Sequence, residues 1–191
     1  ARVRSRGRNS RAVYVAGPEP PHAVDEVKAL AGHDEAAIAL TGEAATSEAV
    51  LRSMDDSHRL HLATHGYARV DNPLFSNLQM SDGPLTLYEM QSVEPPSEVV
   101  LSACSVGRAR TYRGGLAVGL PAALLAGGSR SVVAAEIPVP DESTREVMTV
   151  FYEHLRRGLT VPAALASTAS LLLEEDPLSG LTAAAFSAYG A

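Results

Sequence analysis

The stretch LHLATHGYARV, residues 60–70, sets a strand-length apolar run directly against a histidine and a glycine. Upstream, AVYVAG (12–17) is a second short run rich in β-branched residues, closed by Gly-Pro. PHAVDEVKALAG follows it with apolar residues at helical spacing. AAIALTG (36–42) reads as a strand and TSEAVLRSM (46–54) as a helix, with Thr46 or Ser47 as its N-cap. The order up to His65 is therefore βαβαβ, which predicts an α/β fold with a mainly parallel sheet covered by helices.

Downstream the rhythm breaks and then resumes. SNLQMSDGPLTLYEM alternates apolar and polar residues around a Ser-Asp-Gly-Pro turn, predicting an accessory β-hairpin. SEVVLSAC (97–104) is a fourth core strand ending at the only cysteine, Cys104. GGLAVGLPAALLAGG is read as one apolar helix and SRSVVAAEI (129–137) as the fifth strand. VPDESTREVMTVFYEHLRRG predicts a helix with Asp141 or Ser143 near its cap and Arg156-Arg157 near its C-terminal dipole. A helix from TVPAALASTASLLLEE, with Pro162 in its first turn, and an edge strand from TAAAFSAYG complete the series.

Composition narrows the chemistry. With 191 residues and 46% hydrophobic content, the chain can bury one core without a staple. One cysteine permits no internal disulfide and no cysteine-rich zinc site, and it points to a reducing cytoplasm. The tail ARVRSRGRNSR (1–11) holds five arginines and no acid. It reads as the basic end of a linker in a longer protein, with residues 12–191 as the domain. Removing those five from the 16 basic residues leaves 11 against 22 acids, a balance of −11. So acidic a body argues against direct nucleic-acid binding. The apolar run at 116–128 is too short for a membrane span. His58, His61 and His65 lack the companions a metal site needs, and YRGGLAVG (112–119) lacks the spacing of a phosphate loop, so no cofactor is expected.

Ligands of open parallel sheets collect beyond the carboxyl ends of the strands. His65 and Cys104 each follow a core strand at that edge. An imidazole there can raise the thiolate fraction of a thiol and later protonate a leaving amine.

The segments LHLATHG, NPLFSNLQMSDGPLTLYEM, VVLSACSVG, GGLAVGLPAALLAGGSRSVVAAEIPVPDEST, VFYEHLRRGLTVPAALASTAS and AAAFSAYG together resemble the CHAT domain, a caspase-like cysteine peptidase module of the caspase and separase clan. The resemblance covers roughly residues 12–190 and implies a caspase-like αβα sandwich. It implies His65 as general base and acid, Cys104 as nucleophile, and the backbone N–H groups of Gly66 and Cys104 as the oxyanion hole. It requires no third catalytic carboxylate.

Two departures bear on specificity. Relatives often carry Leu-Trp where this chain has Glu136-Ile137, and an acid in the wall of the pocket favours an arginine or lysine before the cleaved bond. Glu136 is the leading candidate for that role. Asp82 and Asp141 follow, with a turn and a helix cap as their alternative duties. Ser102 stands where several relatives of basic preference have an acid.

The expected function is a cysteine endopeptidase that cuts a protein or peptide substrate; the alternative is a latent or non-catalytic interaction module of the same fold. The resemblance adds control by a sensor or repeat region and a place in bacterial defence or signalling, in keeping with an alanine- and arginine-rich chain holding one lysine. Two further segments have double readings. Asn72 to Ser76 either build the hairpin or form a platform for an extended peptide, and Tyr112 and Arg113 either cover the cleft or belong to a solvated loop.

Overall fold

A computed structural model describes residues 11–18, 21–69, 72–102, 110–112 and 116–190. Among these, the central sheet has six strands in the order β11-β10-β7-β3-β1-β2. They are β1 (Ala12–Ala16), β2 (Ile38–Leu40), β3 (Arg59–Ala63), β7 (Glu98–Ser102), β10 (Ser131–Ala135) and β11 (Phe186–Gly190). All neighbours pair parallel except β11, which runs antiparallel to β10 at the edge. The parallel strands read as near-continuous apolar runs because both faces of such a sheet are covered.

Strand alternation sorts the core into two layers. Ala12, Tyr14, Ala63, Val100 and Val133 pack on one face with residues of α1 (Ala23–Ala31), α5 (Asp141–Arg156) and α6 (Val161–Glu175). Val13, Val15, Leu60, Leu62, Val99 and Leu101 pack on the other with α2 (Ser47–Asp56), α3 (Leu87–Met90) and α4 (Leu120–Gly127). The result is the αβα sandwich expected from the sequence. Phe151 and Tyr152 of α5 are essentially fully buried, and each such side chain stabilises the fold by roughly 1.5–3 kcal/mol.

The accessory hairpin is present as β5 (Asn77–Met80) and β6 (Gly83–Thr86), with a short β4 (Gly66–Tyr67) added beside β5. It ends earlier than its alternation suggests. The Thr86 side chain accepts from the Glu89 amide while Glu89 reaches back to the Thr86 backbone, and this capping box turns LYEM into α3.

Two further segments differ from their sequence reading. LAV (116–118) is β9, paired with β8 (Arg110–Tyr112), and the helix read over 114–128 is confined to Leu120–Gly127. Its first turn holds Pro121, whose missing N–H is tolerated there. TAAAFSAYG is helix through Ala184 and strand only from Phe186, because α7 (Pro177–Ala184) precedes it. Asp176 caps that helix, accepting from the amides of Leu178 and Ser179 ahead of Pro177. Thr46 is the N-cap of α2, accepting from the Ala49 amide.

Candidate active site

The edge that the sequence singled out is formed by β3 and β7, which lie side by side. Their register runs from Arg59 opposite Glu98 to Ala63 opposite Ser102. The pairing continues one residue further, where the Thr64 amide donates to the Ser102 carbonyl at 3.3 Å. His65 follows at the open end of β3 and is half-buried. Its carbonyl accepts from the Gln79 amide at 2.9 Å, and the Thr64 hydroxyl donates to the Gln79 carbonyl at 2.5 Å. The hairpin therefore clamps the backbone on both sides of His65. Gly66 continues the clamp as the partner of Leu78 in the β4–β5 pair. On the far side Gly17 donates to the Ala63 carbonyl at 2.8 Å and approaches so closely that a Cβ there would sit 2.0 Å from the Thr64 hydroxyl.

Cys104, Arg113 and the tail at 1–10 lie outside the described residues. The three carboxylates named for specificity have separate places. Asp82, in the hairpin turn, accepts from the Ser47 amide at 2.8 Å and so caps α2 from outside. Glu136, just past β10, accepts from the hydroxyls of Ser187 and Tyr189 on β11 at 2.7 and 3.1 Å. Burial, reinforced by that carboxylate, pushes the Tyr189 phenol up to about 12. Asp141 is the residue that meets the β3–β7 edge. With His22, Ala23, Glu26, Ala63, Ser102 and Thr144 it lines a cavity of about 20 Å³ between the N-terminal ends of α1 and α5.

One member of that cavity, Glu26, escaped the sequence reading, and its partner His61, weighed there only as a metal ligand, lies inside β3. Glu26 is 3% exposed and His61 fully buried, with Glu26 Oε1 and His61 Nε2 2.7 Å apart. The Tyr152 hydroxyl lies 3.2 Å from His61 Nδ1. Burial holds the Tyr152 phenol well above its usual range, so it keeps its proton and can donate to Nδ1. With Glu26 at Nε2 and Tyr152 at Nδ1, both ring nitrogens have partners. Tyr14 packs against both rings at 5.6–5.9 Å, and the Arg59 guanidinium, paired with Glu98, lies 5.5 Å from the centre of the Tyr152 ring. The legible signal was helical spacing. Glu26 falls on the buried face of α1 with Ala23, Val27 and Leu30.

The Asn72 to Ser76 segment leaves Leu74 and Phe75 exposed, while the Ser76 hydroxyl accepts from the Arg69 amide. A larger hollow of about 390 Å³ lies between α3 and α4, and none of its lining residues belongs to the β3–β7 edge. The site is therefore argued from that edge and not from hollow size. Among the described residues no cluster of His, Cys, Asp or Glu is arranged to hold a metal ion. Among them, too, no helix is long and apolar enough to cross a membrane.

No curated protein sequence matches the chain. Solved structures do. The Saccharomyces cerevisiae separase in its complex with securin superposes with a TM-score of 0.67 at 17% identity, over 96% of this chain and 12% of the separase chain. The Porphyromonas gingivalis RgpB pro- and mature domains give 0.64 at 11% identity, over 94% of this chain and 46% of theirs. The Arg-specific cysteine proteinase gingipain R gives 0.58 at 10% identity, over 94% and 45%. The chain thus spans about an eighth of the separase and under half of the gingipain chains, and at such identities the likeness establishes the fold. A sheet with helices on both faces and a hairpin-clamped histidine beyond its third strand agrees with a match of the CHAT domain profile to residues 4–189, and the chain belongs to the CHAT domain family, with the caspase-like cysteine peptidase fold.

Proposed function

We propose that the domain is a cysteine endopeptidase in which His65 and Cys104 form the catalytic dyad. One observation carries the reading: β3 and β7 are adjacent, parallel and in register at Ala63 and Ser102. His65 and Cys104 each follow by two residues. A two-residue extension spans no more than about 7 Å, which supports pairing the two residues in one dyad.

In the proposed reaction His65 takes the thiol proton, and the Cys104 sulfur attacks the scissile carbonyl carbon. The new C–S bond leaves an oxyanion for the N–H groups of Gly66 and Cys104. Collapse breaks the C–N bond, and the imidazolium of His65 returns its proton to the departing amine. Water, deprotonated by His65, then cleaves the thioester, releasing the carboxylate and restoring the thiol.

A basic residue before the cleaved bond fits the acid at the edge. Asp141, which shares a cavity with Ser102, is better supported for this role than Glu136 or Asp82, whose carboxylates are engaged by β11 and α2. Its cytoplasmic setting, control by a sensor or repeat region, and role in bacterial defence or signalling rest on the resemblance and composition alone. The test is mass-spectrometric profiling of a diverse peptide pool with the unmodified chain, Cys104→Ala and His65→Ala. Cuts after lysine or arginine that vanish in both variants are expected, and cuts that persist in Cys104→Ala would refute the dyad.

A further inference from the structure

We propose that Tyr67, Phe75 and Tyr88 form an apolar surface for the substrate chain that follows the cleaved bond, and that it selects large aromatic or aliphatic residues about two to four positions after that bond. This deepens the peptidase reading and rests on it.

Tyr67 is 55%, Phe75 51% and Tyr88 66% exposed, and they are the exposed aromatic side chains among the described residues. The register of the hairpin gathers them. Tyr67 stands opposite Asn77, and Asn77 opposite Thr86, so these three share the outer face of the sheet formed by β4, β5 and β6. The neighbouring row, Gly66, Leu78 and Leu85, turns inward, with both leucines fully buried. Phe75 and Tyr88 adjoin the outer row. The Leu87 amide donates to the Ser76 carbonyl at 2.8 Å, which sets the next residues outward, Phe75 and Tyr88, beside each other. The Arg69 amide donates to the Ser76 hydroxyl at 2.9 Å, so the chain leaving Tyr67 runs toward Phe75.

The fold itself does not call for rings at these positions. The hairpin closes its core from the inner side with Leu78, Met80, Leu85, Leu87 and Met90. Polar groups between the rings are already paired. The Asn77 side-chain amide donates to the Phe75 carbonyl at 3.2 Å, and the Thr86 amide and hydroxyl both donate to the Glu89 carboxylate. An apolar segment can therefore cover this row without stripping those donors of their partners.

Area sets the size of the occupant. With Leu74, 40% exposed, the three rings offer roughly 400 Å² of side chain, against about 800 Å² per partner in a stable protein interface. That is the footprint of a few residues of extended chain, and half of what a second copy needs.

Position relative to His65 decides which part of the substrate lies here. In the proposed reaction His65 protonates the departing amine, so the chain that begins with that amine starts beside the imidazole. Tyr67 is two residues beyond His65, about 7 Å at most, and Phe75 lies diagonally across from Tyr67, about 7–8 Å further. At roughly 3.3 Å per residue, an extended substrate covers those distances in about two and four residues.

The experiment has two arms. In the first, amide NMR shifts of Tyr67, Phe75, Ser76 and Tyr88 in the 191-residue chain are followed during titration with the product-like peptide Ala-Phe-Gly-Phe-Ala and, separately, Ala-Ser-Gly-Ser-Ala. The phenylalanine peptide is expected to bind at least about tenfold more tightly, and Phe75→Ser or Tyr88→Ser to weaken it by about fivefold each. Both variants should melt within about 2 °C of the parent, because the rings they remove are exposed. Equal binding of the two peptides, or no shift at these amides, overturns the proposal whether or not the chain cuts peptides. In the second arm, kcat/KM is compared for peptides identical before the bond and carrying one or the other sequence after it. An advantage of about tenfold for the phenylalanines is expected, falling to about twofold when Phe75→Ser and Tyr88→Ser are combined. Cleavage that depends on Cys104 and is indifferent to the residues after the bond keeps the peptidase and overturns the surface assignment. Phenylalanine-dependent binding without cleavage of either peptide keeps the apolar peptide surface and removes the peptidase reading beneath it. A dimer in sedimentation equilibrium that Tyr88→Ser dissolves gives the patch to a second copy and overturns the proposal.

Discussion

Replacing Gly17 by alanine tests the clamp around His65. The added Cβ would stand 2.0 Å from Thr64 Oγ1, 2.6 Å from Thr64 Cβ and 2.7 Å from the Gln79 carbonyl oxygen. All three are far inside van der Waals contact, and one is backbone, so the neighbours must move. Overpacking of this kind costs about 1–3 kcal/mol. Displacing the Thr64 hydroxyl from its 2.5 Å bond to Gln79 adds about 1 kcal/mol. The sum, roughly 2–4 kcal/mol, should lower the melting temperature of a chain this size by roughly 5–15 °C. A shift of about 1 Å in the residue after Thr64 would also cut peptide cleavage by about a hundredfold. Circular dichroism melts give the first quantity and cleavage rates the second. A double-mutant cycle then isolates the clash. Thr64→Gly removes two of the three close atoms, so Gly17→Ala should cost less by at least about 1 kcal/mol in that background. A melting temperature within about 1 °C of the parent, or an equal cost in both backgrounds, refutes the reasoning.

Two other perturbations separate structural from functional carboxylates. Glu136→Gln removes the charge that helps raise Tyr189, so the phenol, now near 12, should titrate closer to 10 while burial keeps part of the shift; spectrophotometric titration near 295 nm reads it directly. The sign for the parent follows: the folded phenol holds its proton more tightly than the unfolded one, so stability falls as pH rises from about 10 through about 12, and Glu136→Gln should flatten that fall. Asp82→Ala strips the Ser47 amide of its acceptor and should cost about 1 kcal/mol in urea unfolding, with the lysine-to-arginine cleavage ratio unmoved. A moved ratio would return Asp82 to the specificity pocket.

Much of the fold was legible because each core strand is an apolar run bounded by turn residues. Register could not be read the same way. LHLATH and VVLSAC announce two strand ends, but only the hydrogen-bonded pairing of Ala63 with Ser102 makes them one edge. The misread segments share a cause. In LAVGLPAALL and TAAAFSAYG, alanine and leucine suit helix and buried strand alike, so composition cannot place the boundary. What places it is local hydrogen bonding: Asp176 stops one helix from running into the next, and the capping box of Thr86 and Glu89 ends a strand where alternation alone would extend it. The hydrogen-bond partners of the candidate carboxylates were the least legible feature. An acid near the right strand end is a sequence fact, whereas the direction its carboxylate takes depends on a neighbour such as Ser187 or Tyr189 that lies some fifty residues away.

His61 and His65, four residues apart, are held by different means. His61 lies inside β3, paired between Tyr14 of β1 and Val100 of β7, so strand alternation fixes its ring on the α1–α5 face. There it is enclosed by Tyr14 and Tyr152 and held by Glu26. His65 comes after the strand, where register no longer dictates orientation and the hairpin supplies the constraint instead. The two are joined through Glu26, which touches His61 in the core and lines the cavity at the edge.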